Sequence, residues 1–274
     1  MIALSDAKNK RNEYYFERIR DLLIKICNFD LHTYKDKFLH RRVQTVMIME
    51  KAESVGDYYK ILLENPEKIS KLIKSLSINV SDFFRNEQVF NYLMDYLNRI
   101  KRRATGRYRI WSMGCAKGEE PYSLAMIFEE LGFKSAGIQV SIDASDINES
   151  IIKKAKNAIF DKKEIDNVPG PYAKYFHHCG ENIYRIDSRI KTTIKFRCEN
   201  LLNVEPRYGW YHMIVCRNLL IFLEKNHQEL LLKVINQSIV EDGLIVLGLT
   251  ENIPAKFDDQ WEPLSGRLRI FKKK

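Results

Sequence analysis

Through the first hundred residues, apolar side chains return every three or four positions. Residues 14–26 and 34–53 do so over several turns, the second with Phe38, Val43, Val46 and Met47 on one face and Arg41, Arg42 and Lys51 elsewhere. Shorter helical segments follow over 55–64 and 66–76, and no strong strand pattern precedes Tyr108. From there the texture changes. Residues 108–113 read as a buried strand, 121–131 as a helix with Pro121 at an early position, 138–144 as a second strand and 149–160 as an amphipathic helix. Short strands are predicted over 194–197 and 212–215, a helix over 225–239 ending at Asp242-Gly243, and a buried strand over 244–249. Strand–helix alternation of this kind predicts a parallel, doubly wound α/β sheet behind a small helical domain. The chain closes with a hairpin pattern, 260–264 and 267–271 around Ser265-Gly266. Between Phe160 and Ile194 the alternation lapses, which predicts a small insertion with a short antiparallel piece around 182–194.

The chain has 274 residues, 45% hydrophobic and 30% charged, enough for one large domain or two modest ones. No stretch has the apolar length of a membrane span, and residues 1–11 carry no secretory signature, so no membrane insertion is expected. Five scattered cysteines without a Cys-x-x-Cys pair point to reduced thiols in a cytoplasmic protein. His177-His178-Cys179 reads as an ordinary loop, because adjacent residues rarely aim at one ion, and no metal site is expected. The net charge of +9 favours an acidic partner: nucleic acid, an anionic membrane face or an acidic protein surface. Nucleic acid fits the charge but brings no accompanying motif, so no nucleic-acid partner is expected.

The run WSMGCAKGEEPYSLAM, 111–126, has the form of a strand end, a glycine turn and a helix start. In open parallel sheets that is where ligands bind, and Gly114 and Gly118 let backbone approach closely. It is not a P-loop, which needs Gly-x-x-x-x-Gly-Lys-Ser/Thr. Nor is it a dinucleotide fingerprint: Ala116 replaces the middle glycine, and Glu119 and Glu120 would repel a pyrophosphate. A cationic ligand reverses that sign. S-adenosylmethionine carries a sulfonium, an ammonium and a ribose diol, and carboxylates suit all three. Asp143 and Asp146, at the end of the next predicted strand, supply a further acid for the ribose. Taken singly, Glu119 and Glu120 could equally favour a helix N-terminus and Asp146 could be an N-cap.

Several runs, in order along nearly the whole chain, resemble the CheR family of chemotaxis receptor methyltransferases. They are YKDKFLHRRV (34–43), SINVSDFFRN (77–86), the glycine run above, ASDINESIIKKAKNAIF (144–160), KFRCENLL (195–202), MIVCRNLLIFL (213–223) and EDGLIVLG (241–248). The resemblance implies a Rossmann-like S-adenosylmethionine-dependent methyltransferase domain over 108–274, with a mostly parallel sheet, a C-terminal hairpin and an antiparallel insertion near 161–193. It also implies an all-α receptor-recognition domain over 1–76 and, over 77–107, a linker and a helix contributing to the cofactor pocket. By motif, Asn79, Ser81 and Arg85 lie on that pocket, together with Gly114 of the glycine turn. Glu120 and Asp146 hold the amino-acid and ribose ends, Asn200 and Leu201 approach the adenine, and Arg217, Asn218 and Phe222 complete the set. Three positions depart from the family pattern. Phe222 stands where a tyrosine is usual, Gly248-Leu-Thr-Glu-Asn252 replaces Gly-His-Ser-Glu-Ser, and Lys117 replaces a small polar residue.

The implied reaction moves a methyl group to glutamate carboxylates on the cytoplasmic methylation helices of chemoreceptors, leaving S-adenosylhomocysteine. A glutamate of pKa about 4.3 is already ionised at neutral pH, so no general base is needed. Alignment and desolvation then carry catalysis, with Arg85 the candidate catalytic residue because a guanidinium fork fixes a carboxylate. Lys35, Lys37, Arg41 and Arg42 are the candidate substrate-binding residues, their charge complementing acidic receptor helices. The short turn at Gly180-Glu181-Asn182 resembles family members that need no receptor tether, so no tether-peptide binding is expected, and a monomer is expected. A different carboxylate acceptor, or a cofactor-sensing module without turnover, stay open as alternatives.

Overall fold

The computed structural model describes residues 2–27, 31–76 and 81–274. By contacts the chain divides into two units. One comprises residues 1–78 with 222–227, the other residues 79–221 with 228–274.

The first unit is helical: α1 (Ile2–Cys27), α2 (Asp36–Met49), α3 (Val55–Glu64) and α4 (Pro66–Leu76). Each helix buries one stripe. Phe16, Ile19 and Leu23 of α1, Leu39, Val43 and Val46 of α2, and Tyr58, Leu62, Ile69 and Leu72 are buried, with α1 packed chiefly on α3 and α2 on α4. α1 begins twelve residues before the apolar stripe does, because its polar first turns carry no pattern to read. α2 begins at Asp36 rather than residue 34, since Tyr34 forms an antiparallel bridge with Leu223. The Ser54 side chain caps α3 by accepting from the Asp57 N–H at 3.1 Å. Glu50 is clamped by Lys68 at 2.9 Å and Lys71 at 2.5 Å.

The second unit opens with α5 (Glu87–Ile100) and then alternates. Its elements are β1 (Arg107–Met113), α6 (Glu119–Glu130), β2 (Gln139–Asp146), α7 (Glu149–Asn157), β3 (Ile159–Asp161), α8 (Lys162–Ile165), β4 (Phe176–Gly180) and β5 (Ile183–Ile186). They continue as α9 (Ser188–Lys191), β6 (Ile194–Cys198), β7 (Tyr211–Cys216), α10 (Lys225–Ser238), β8 (Ile239–Leu247), β9 (Trp261–Ser265) and β10 (Ile270–Lys273). The main sheet has the order β6-β2-β1-β7-β8-β10-β9. Its first five strands are parallel, and β10 runs antiparallel to both neighbours. The order reverses between β1 and β7, so the crevice for a ligand opens at their carboxyl ends. One sheet face, through Ile110, Ile142, Val215 and Val246, packs into a core with α5, α6 and α7.

Several boundaries differ from the sequence pattern. α7 stops at Asn157, where Ala158 turns left-handed, and Ile159-Phe160 enter a three-stranded sheet of order β3-β5-β4. His177-His178-Cys179 is therefore strand β4, not loop, with His177 3.2 Å from Asp187 and His178 edge-on to Tyr184. α10 gives way to β8 at Ile239, ahead of the expected stop. Asp242-Gly243 instead lies in a bulge, since Tyr211 pairs with Ile239 and Met213 with Leu244. The C-terminal hairpin turns through four residues, 266–269, rather than two.

The entry to α6 is tightly determined. Gly118 sits at φ +95°, and a Cβ there would lie 3.0 Å from the Tyr122 ring and 3.1 Å from Phe196. Gly118→Ala therefore combines left-handed strain with overpacking and should destabilise the second unit by about 1–3 kcal/mol. Urea unfolding followed by tryptophan fluorescence checks it, all three tryptophans lying at or beyond Trp111. An unchanged midpoint would mean the loop yields freely.

Candidate functional site

The carboxyl ends of β1, β2, β7 and β8 bring together four carboxyl groups, those of Glu119, Glu120, Asp146 and Glu251. α6 begins at Glu119, two residues before Pro121, with Gly118 as its left-handed N-cap. Both glutamates thus occupy its first turn. The turn leading there is left-handed at Gly114 (φ +69°), Ala116 (φ +48°) and Gly118, and closes when the Tyr122 N–H donates to the Gly118 carbonyl at 2.9 Å.

Glu120 accepts from Ser112 Oγ at 2.8 Å and faces Arg217 Nη1 at 3.4 Å. Burial pushes its carboxyl above the ordinary range, against the pull of Arg217 and Ser112. Asp146 is the last residue of β2 and not a helix cap. Asn148 caps α7, accepting from the Ser150 and Ile151 N–H groups. Asp146 accepts from the Ala116 N–H at 3.1 Å and the Asn148 N–H at 2.9 Å, tying the glycine turn to β2. Burial raises it too, with those backbone bonds opposing. Cys115 lies among Asp146, Glu120 and Glu119, and their charge adds to burial in raising its thiol.

Arg217 follows β7 with its side chain only 3% exposed. Its Nη2 donates to the Arg85 carbonyl and to Asn86 Oδ1, both at 2.8 Å, and its guanidinium lies 5.5 Å from the Phe90 ring centre. The turn carrying Arg85 is thereby fixed beside Glu120. The Arg85 residue itself is half-buried, as is Ser81. Asn79 lies outside the described residues. Asn218 is left-handed (φ 58°) and its N–H donates to Glu251 Oε2 at 2.8 Å. Asn200 accepts from the Leu202 N–H at 3.1 Å, and Leu201 is buried. Phe222 belongs to the helical unit, its ring 5.0 Å from Phe38 and its carbonyl accepting from the Lys35 N–H at 2.9 Å. On α2, Lys37 and Arg41 are exposed, and Arg42 is half-buried over Phe38.

Two acids went unassigned in the sequence. Glu251 is buried and accepts from the N–H groups of Gly248 at 2.6 Å, Asn218 at 2.8 Å and Ile221 at 3.2 Å. The signal was present in Gly248-Leu-Thr-Glu, a glycine and an acid closing one turn, but its partners lie thirty residues away. Glu119 is 1% exposed, and its Oε2 has no partner among the described residues. Burial pushes its carboxyl up to about 7, with Lys117 at 4.0 Å only partly opposing. Lys117 itself bridges to Glu164.

Around the turn, Glu119, Glu120, Asp146 and Glu251 thus stand against Arg217 and Lys117. Desolvated carboxyls in excess of cations fit a ligand that brings positive charge and hydroxyl donors, as S-adenosylmethionine does. Residues 79–270 match the family described as CheR methyltransferase, SAM binding domain, and residues 15–77 its all-alpha domain. The chain belongs to the CheR methyltransferase family. It is an S-adenosylmethionine-dependent methyltransferase of Rossmann-like fold with a helical N-terminal domain. Among relatives, this CheR chain is 29% identical to the chemotaxis protein methyltransferase of Listeria monocytogenes, over 89% of this chain and 91% of that one. It is also 29% identical to that of Escherichia coli K12 (92% and 86% covered) and 28% identical to chemotaxis protein methyltransferase 2 of Vibrio cholerae (87% and 85%).

Glu119 makes the site's electrostatics measurable. An acid whose pKa rises on folding, here from 4.5 to about 7, costs nothing below 4.5 and its full penalty above 7. At about 1.4 kcal/mol per pH unit the penalty is about 3 kcal/mol. In cofactor-free protein, Glu119→Gln should raise the urea midpoint at pH 8 and leave it unchanged near pH 4.5. An equal change at both pH values would show that charge is not the cause.

Proposed function

We propose that this chain transfers methyl groups from S-adenosylmethionine to glutamate side chains on the cytoplasmic helices of chemoreceptors, in chemotactic adaptation. The products are glutamate methyl esters and S-adenosylhomocysteine. The observation carrying this reading is the buried Glu120–Arg217 pair beside the glycine turn that Asp146 ties to β2, in a chain whose relatives are named chemotaxis protein methyltransferases. Among the described residues no helix is long and apolar enough to cross a membrane.

When bound, the cofactor supplies a methyl group activated by its sulfonium. Glu120 and Asp146 would hold its amino-acid and ribose ends, with Gly114 letting the backbone approach. Asn200 and Leu201 would approach the adenine, and Ser81 and Asn218 would border the pocket. The acceptor is an ionised carboxylate and needs no base. It does need a cation to bring it to a site already rich in carboxyls, and Arg85 is that cation. Its backbone is anchored by Arg217, so its fork is carried on a fixed turn. Lys35, Lys37, Arg41 and Arg42 steer the acidic receptor helix.

The test incubates methyl-labelled S-adenosylmethionine with the protein and a chemoreceptor cytoplasmic fragment from the same genome, then adds base. Label released as volatile methanol identifies a carboxyl methyl ester. Retained label, or none transferred while cofactor binds, sets the reading aside. Arg85→Ala should lower kcat on the order of 10²-fold with cofactor affinity kept, since it removes a positioning donor. Wild-type turnover by the folded variant would remove Arg85 from the mechanism.

Arg41→Glu combined with Arg42→Glu should lower kcat/KM by about ten-fold or more at low ionic strength, the deficit shrinking as salt rises. A deficit independent of salt would argue against steering.

A further inference from the structure

A second concave surface lies on the same sheet, away from the strand ends that form the cofactor site. Buried parallel strands read as continuous apolar runs. Here β1, β2 and β6 alternate: Arg-Tyr-Arg-Ile, Gln-Val-Ser-Ile-Asp-Ala and Ile-Lys-Phe-Arg. The register sets Arg107 beside Gln139, Arg109 beside Ser141 and Asp143 beside Lys195. One face of these strands is therefore polar at its amino-terminal half, while further along it is buried at Trp111 and Ile214.

This face forms a cavity of about 350 Å³, within the range of small-molecule sites. Five cations line it, Arg107, Arg109, Lys195, Arg197 and Arg207, against one acid, Asp143. The cations differ in how they are held. Arg207 is fixed, donating to Asp143 at 3.0 Å, to Glu199 at 3.1 Å and to Tyr211. Arg109 is oriented by donating through Nε to the Trp210 carbonyl at 2.8 Å, with its guanidinium stacked 4.2 Å from the Trp210 ring centre. Arg197 reaches Asp143 only at 3.5 Å. Among the described residues, Arg107, Arg109 and Lys195 have no carboxylate within 4.0 Å. Trp210 is 45% exposed at the rim.

We propose that this cavity binds a small molecule bearing two or more phosphates. Guanidinium forks match phosphate oxygens two at a time, and the lysine adds a point charge. An exposed indole at the rim offers stacking for a base, so the ligand can be a nucleotide or a free oligophosphate. An acidic protein surface would match the charge but not the concavity.

The experiment uses the full chain saturated with S-adenosylhomocysteine, so that the cofactor site is filled, and titrates GTP and inorganic tripolyphosphate by calorimetry. The expected result is binding that weakens by at least about ten-fold in Arg107→Glu/Lys195→Glu, with S-adenosylhomocysteine affinity unchanged as the check on folding. GTP binding more tightly than tripolyphosphate, with the difference lost in Trp210→Ala, identifies a nucleotide. Equal binding identifies the phosphate chain alone. Absence of binding by both, or equal binding to the double variant, overturns the proposal. So does capture of polyglutamate in preference to either phosphate probe, which would give the surface to an acidic protein.

Discussion

The cofactor end of the sheet depends on one guanidinium. Arg217 is nearly enclosed, and its donors go in three directions: to Glu120 in the first turn of α6, to the backbone of Arg85, and to Asn86 at the start of α5. A buried arginine is costly unless paired, and moving either α6 or the segment before α5 would strip bonds from it. Glu120 is equally constrained, since without Arg217 its desolvated carboxyl would keep only Ser112. The charge pair is weak at 3.4 Å, and its importance is geometric: it fixes where β7, α6 and the segment before α5 meet.

Carboxyls are concentrated around this arginine beyond what it can neutralise. Glu251 is held by three backbone N–H groups and Asp146 by two, so both are positioned without a cation. Backbone donors can hold an acid in place while leaving its charge to attract a ligand, whereas a salt bridge would cancel that charge. That difference separates these two from Asp187, which Arg189 brackets and draws far below the carboxylate range. Backbone donors position the carboxyl in one setting, and a guanidinium neutralises it in the other.

Much of this was legible beforehand because local rules and the global fold agreed. Val55–Glu64 lies between the Ser54 cap and Pro66, Pro66 opens the next helix, and the strand that becomes β7 is apolar enough to admit one reading. Where reading failed, a distant partner decided. Asp242-Gly243 looks like a helix stop, but β-branched Ile239 and Val240 leave α10 earlier, with Ile239 taken up by Tyr211 across the sheet. Asp146 looks like an N-cap, but Asn148 is the residue whose carbonyl oxygen reaches the α7 N–H groups. Glu251 could not be found locally, since its ligands at Asn218 and Ile221 come from another strand's loop.

The chemistry that follows is governed by charge rather than by proton transfer. On the proposed reading a glutamate acceptor arrives ionised, and the carboxyls around the glycine turn oppose its approach. Burial raises the carboxyls of Glu119, Glu120 and Asp146 above the ordinary range, so each gains from a cation beside it. A ligand with sulfonium and ammonium charges, held against these carboxyls, would relieve that opposition. Electrostatics therefore couples the two substrates: the cationic one, once bound, relieves the repulsion that the anionic one would otherwise meet. The net charge of +9 leaves the acidic turn as a local exception on a basic protein, so long-range attraction for an acidic partner and short-range selection for a cationic cofactor can operate in one chain.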